Sequence, residues 1–192
     1  MTTQRTRGRN VGKKAGGNRT LLFVLAGVVL VAVVIGGVLL LGGTSGNGGE
    51  QALLQDGRDH VAETERVIYT FNPPTSGNHW ASTAQWGFYK TNPPADEKII
   101  HNLEHGAVIV WYNPDKVSED EYNQLFALYQ QMSQDEFRTM LVVRPNLDTK
   151  VAMSSWGFQL KLETIDKDAM LGFHSRHKLR GPECENLRCP TM

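Results

Sequence analysis

The sequence predicts an α+β protein: an N-terminal transmembrane helix, then a small mixed β-sheet with helices packed on it. Three observations predict it. One long apolar run near the start carries no charge, one β-branched run near the middle is almost continuously apolar, and capped amphipathic segments alternate with strand-like ones after it. The order of the outer elements reads β-α-β-β-α, which also fits the second half of a thioredoxin-like fold.

The N-terminal stretch 1–19 holds Arg5, Arg7, Arg9, Lys13, Lys14 and Arg19 and no acidic residue. It reads as a basic cytoplasmic tail. Residues 20–42 contain "LLFVLAGVVLVAVVIGGVLLL", long enough at about 1.5 Å per residue to match a hydrocarbon core of roughly 30 Å. The basic flank stays inside by the positive-inside rule, so the bulk of the chain is expected outside the cell membrane, spanning it once. The run exceeds the usual apolar core of a signal peptide, and no A-x-A-like site follows it, so an uncleaved anchor is expected. Residues 43–52, rich in Gly, Ser and Asn, read as a flexible linker, and 53–192 as the extracytoplasmic domain.

Within that domain, "EQALLQDGRDHVAE" suggests a short helix, and "RVIYTFNPP" a strand stopped by Pro73 and Pro74. The segment "NPPTSGNHWASTAQWGFYKTNPP" reads as an ordered loop, because Trp80, Trp86, Phe88 and Tyr89 must pack somewhere. "GAVIVWYNP" is the expected central strand. In "SEDEYNQLFALYQQMS", Ser118 caps a helix whose first turn holds Glu119, Asp120 and Glu121 and whose apolar face carries Tyr122, Leu125, Phe126 and Tyr129. "TMLVVRP" and "VAMSSWGFQLKLE" follow as two strands. Asp166 caps a last helix that Gly181-Pro182 ends.

Twenty basic and twenty acidic residues balance over the whole chain, but six of the basic ones lie before residue 50. The outer part therefore carries a balance of −6. An acidic domain is a poor partner for nucleic acid, which needs a basic patch. The two cysteines, Cys184 and Cys189, sit close together, and outside the cytoplasm such a pair reads as a disulfide. Their spacing is wider than the C-x-x-C of a thioredoxin-type redox centre.

The chemistry gathers around six histidines: His60, His79, His101, His105, His174 and His177. His174 and His177 lie among basic residues at the end of the last helix and read as a solvated basic terminus. His79 closes the rigid turn "NPPTSGNH". "HNLEH" places His101, Glu104 and His105 in the H-x-x-E-H spacing of an inverted zinc-hydrolase motif, with two ligands and a general base. That motif needs a long helix, whereas Gly106 and a strand follow at once, so one helical turn is expected here. The expected site is a metal centre shared by His79, His101 and His105, with His60 or Glu104 adding a ligand and zinc or copper as the ion. Met153 offers a soft thioether but reads first as core filler. The competing readings are a metal-dependent hydrolase with Glu104 as base, and an envelope scaffold whose histidines only tie loops together.

The combination of "NPPTSGNHW", Gly-Phe-Tyr, "HNLEHGAVIVWY" and a later "SSWG" resembles a bacterial family of membrane-anchored domains of unknown function with PPTSGxH and HxLEHG motifs. The resemblance covers about 60–182. It carries over Pro73, Pro74, Thr75, Ser76, Gly77, His79, His101, Leu103, Glu104, His105 and Gly106. It implies no activity; it implies that the His/Glu constellation is what distinguishes the family.

Overall fold

The computed structural model describes residues 49–134, 138–184 and 188–189. The basic tail, the apolar stretch 20–42 and most of the linker lie outside the described residues. Among those described, no helix is long and apolar enough to cross a membrane.

Eight strands and three helices form a mixed α+β domain among the described residues. The strands are β1 (Glu50–Ala52), β2 (His60–Val61), β3 (His79–Trp80), β4 (Phe88–Tyr89), β5 (Val108–Tyr112), β6 (Thr139–Val143), β7 (Val151–Ser155) and β8 (Phe158–Leu162). The helices are α1 (Asp96–Glu104), α2 (Glu119–Met132) and α3 (Lys167–His177). Six strands make one sheet in the order β1-β8-β7-β5-β6-β4, and β2 pairs with β3 in a separate parallel bridge. The β5–β6 and β4–β6 pairs are parallel; the β5–β7, β7–β8 and β1–β8 pairs are antiparallel.

The central strand is the expected one, and its continuous hydrophobicity has a plain cause. Alternate side chains of β5 feed two different cores. Val108, Val110 and Tyr112 join Leu125, Leu128, Met170 and Phe173 beneath α2 and α3. Ile109 and Trp111 join Ile99, Ile100 and Leu103 of α1 on the other face. A strand covered on both faces cannot alternate with polar residues. Helix α2 begins as expected: Ser118 Oγ accepts from Glu121 N, and the Glu121 carboxylate accepts from Ser118 N, closing a capping box. Asp166 likewise accepts from Ala169 N at the start of α3.

Four expectations change. "VAMSSWGFQLKLE" is two strands, β7 and β8, reversed at Trp156-Gly157 with Gly157 at φ +75°. Only the second turn residue has positive φ, as in a type II turn. "EQALLQ" supplies β1 rather than a helix, because its backbone pairs with β8 from Glu50↔Leu160 to Ala52↔Phe158. "RVIYTF" is not a strand. Its amides are taken by carboxylates, Val67 N by Glu97 Oε1 at 3.0 Å and Thr70 N by Asp56 Oδ2 at 2.9 Å, in place of ladder partners. His174 and His177 are buried, not solvated: His174 Nε2 meets Thr139 Oγ1 at 3.0 Å, and His177 Nε2 meets Glu50 Oε1 at 2.8 Å.

A candidate metal centre

The aromatic loop is ordered by its own packing. Trp80 is buried, and Trp86 and Tyr89 pack against the core under α1. Phe88 instead stays half exposed and meets Phe126 edge-on, with ring centroids 4.9 Å apart. The loop is fastened to the β7–β8 turn, where Gly157 N donates to Thr75 O at 3.0 Å and Gln159 Nε2 to Pro73 O at 2.8 Å. Gly77 lies at φ +135°, and a Cβ there would sit 2.7 Å from the Tyr69 ring. No side chain fits that position, which fixes the reversal just before His79.

His60 reaches the same place by backbone pairing. It lies opposite His79 in the β2–β3 bridge, which His79 N extends by donating to Asp59 O at 3.0 Å. His101 and Glu104 come from α1. That helix is longer than the single turn expected, because Asp96 and Glu97 supply an acidic first turn and "EKII" belongs to it. Ile99, Ile100 and Leu103 face the core while His101 and Glu104 turn toward the loop.

Four side chains converge. The ligand atoms of His60, His79, His101 and Glu104 all lie within 4.8 Å of one another. The three imidazoles form a near-equilateral triangle, with centroid separations of 4.9, 5.0 and 5.0 Å. His79, His101 and Glu104 are buried, whereas His60 is exposed and borders solvent. Of the residues singled out in the sequence, His105 alone stands outside this group. It caps α1, with Nε2 3.0 Å from His101 Nε2. Met153 is not a candidate, since it is fully buried in the core on the α2 and α3 face.

The hydrogen bonds set the tautomers. His79 Nδ1 lies 2.8 Å from Gly77 O, and His101 Nδ1 lies 2.9 Å from Trp80 O. A carbonyl only accepts, so both Nδ1 atoms carry protons, and the neutral rings present Nε2 lone pairs inward. Such an outer hydrogen bond orients a metal-binding imidazole and raises its basicity. His79 Nε2 then faces Glu104 Oε2 at 3.0 Å. Lone pair opposes lone pair there unless a proton or a metal cation joins them. Arg58 Nε donates to the other Glu104 oxygen at 2.7 Å and provides the buried carboxylate with a counter-charge.

Burial holds the His101 imidazolium below its ordinary pKa, the Trp80 carbonyl opposing and the neighbouring His79, His105 and His60 reinforcing the shift. Burial also lowers His105, against the pull of Glu183 and Glu104. Both rings are therefore neutral near pH 7, the form that ligates. His60 was the residue least marked in the sequence. Its signal is only the Asp59-His60-Val61 extended step, too short to announce a bridge.

No curated protein and no solved structure matches this chain. Residues 60–189, which take in the whole His/Glu constellation, match the family model described as "Protein of unknown function (DUF3105)", and the chain belongs to that family.

Proposed function

We propose that this protein is a single-pass, membrane-anchored domain that holds one divalent transition-metal ion outside the cytoplasm. The ligands are His60, His79, His101 and Glu104. One observation carries the reading: two buried imidazoles each spend Nδ1–H on a backbone carbonyl and aim Nε2 at a shared point beside a buried carboxylate. Small side-chain rotations bring all four ligand atoms to about 2.0–2.2 Å from one ion. Three imidazoles and one carboxylate suit zinc or copper(II), and the set alone does not choose between them. Glu104 acts as a ligand rather than as a general base, because Arg58 and His79 already hold both its oxygens. The thioredoxin-like reading of the sheet draws support from the inner order β8-β7-β5-β6, in which only β5 and β6 are parallel. Against it, β6 and β7 are joined by a loop without a helix.

The test is metal analysis of the full chain, purified in detergent without a His-tag. One zinc or copper(II) ion per chain is expected, with loss of the ion in His79→Ala and His101→Ala and retention in His174→Ala. Equal metal content in wild type and His101→Ala refutes the site.

A further inference from the structure

The chain after α3 folds back onto the C-terminal end of α1. Leu179 N donates to Gly106 O at 2.8 Å, and Glu183 N to Glu104 O at 3.3 Å. Cys184 and Cys189 are joined in a disulfide. Its sulfurs lie over Gly106, where an added Cβ would meet them at 2.7 and 2.9 Å. Arg138 ties the two parts together, donating to His105 O at 2.6 Å and to Cys189 O at 3.4 Å. This closed tail sets Glu183 Oε2 at 3.3 Å from His105 Nε2.

His105 thus has two acceptors within reach of one N–H. Because His101 Nδ1–H is spent on Trp80 O, the contact at 3.0 Å is His105 Nε2–H donating into the His101 Nε2 lone pair. That is the same lone pair a metal ion takes. His105 Nδ1 is buried with no partner among the described residues, so the ring has no other hydrogen bond to turn to.

We propose that Glu183 is a positioning residue for the metal centre. When an ion claims His101, His105 redirects its Nε2–H from His101 to the Glu183 carboxylate, and the disulfide-closed tail keeps that carboxylate within reach. The proposal rests on His101 being a ligand. It assigns His105 the role of a displaced competitor rather than a ligand. Without Glu183, metal binding strands a donor on a ring that is only 8% exposed. A buried unsatisfied donor weakens the equilibrium by roughly 5- to 150-fold.

The experiment is a zinc titration of the full chain against a chromophoric chelator, with thermal melts as a check on folding. Glu183→Ala should lose affinity by that factor. Glu183→Gln, whose amide oxygen still accepts, should recover most of it. The paired Cys184→Ser, Cys189→Ser variant should weaken binding with Glu183 intact. In His105→Ala, zinc should still bind, and adding Glu183→Ala should change nothing further. If wild type binds zinc but Glu183→Ala is unchanged, or if His105→Ala abolishes binding as loss of a ligand would, the proposal fails while the metal centre stands. If wild type binds no zinc, the metal centre itself fails.

Discussion

Gly106→Ala is the sharpest perturbation of the site's foundation. Gly106 sits at φ +79°, in the left-handed region that costs a side-chain-bearing residue about 1–2 kcal/mol. The new methyl would also lie 2.7 Å from Cys184 Sγ, 2.7 Å from Leu179 Cα and 2.9 Å from Cys189 Sγ. None of these is the loose end of a flexible side chain, so the tail must move as a body. Overpacking of this kind costs about 1–3 kcal/mol, giving a total of about 2–5 kcal/mol. All four tryptophans lie in the outer domain, so urea unfolding of the full chain can be followed by their fluorescence. In the Cys184→Ser, Cys189→Ser background the tail is free to yield, and the cost of Gly106→Ala should fall toward the backbone term alone. A Gly106→Ala midpoint equivalent to less than about 0.5 kcal/mol of change, the range of inert surface substitutions, refutes the reasoning. So does an equal loss in both backgrounds, which would clear the sulfurs as the obstacle.

Acid should destabilise the metal-free fold. Burial lowers His101 and His105 in the folded state, so near pH 6 the unfolded chain binds more protons. Their stabilising contribution is complete above the unfolded value of about 6.5 and is lost as pH falls toward the folded values. With a chelator present, the urea midpoint should drop between pH 7.5 and 5.5, and less so in His101→Gln; a flat midpoint in wild type counts against neutral, buried rings. For the anchor, protease added to intact spheroplasts should remove the tryptophan-bearing domain and spare the basic tail. A mature chain beginning after Gly43 would overturn it.

The elements read correctly from sequence are those whose signals are local. Ser118 with Glu121 announces α2, Asp166 announces α3, and the run Val108–Tyr112 announces a strand buried on both faces. The misread ones depend on distant partners. Nothing in "EQA" foretells β8 more than a hundred residues later, and nothing in "RVIYT" foretells that Glu97 and Asp56 will take its amides. Helix α1 was cut short because Pro93-Pro94 and Gly106 frame it so tightly. His101 and Glu104 were legible as site residues from their spacing. Which histidines would join them was not, because that depends on the His60↔His79 bridge and on the tail that draws His105 aside.

Helix α1 interleaves two jobs in nine residues: Ile99, Ile100 and Leu103 hold the core, and His101 and Glu104 serve the site. Successive helical residues are rotated by about 100°. Inserting or deleting one residue between Ile99 and Glu104 would therefore swing imidazole and carboxylate into the core and push isoleucine toward the ligands. The segment is a fixed-length key, tolerant of conservative substitution but not of a change in length. The loop before it, around 81–95, is under no such constraint. It can lengthen at its exposed positions, and partner specificity has room to be written there without disturbing the centre.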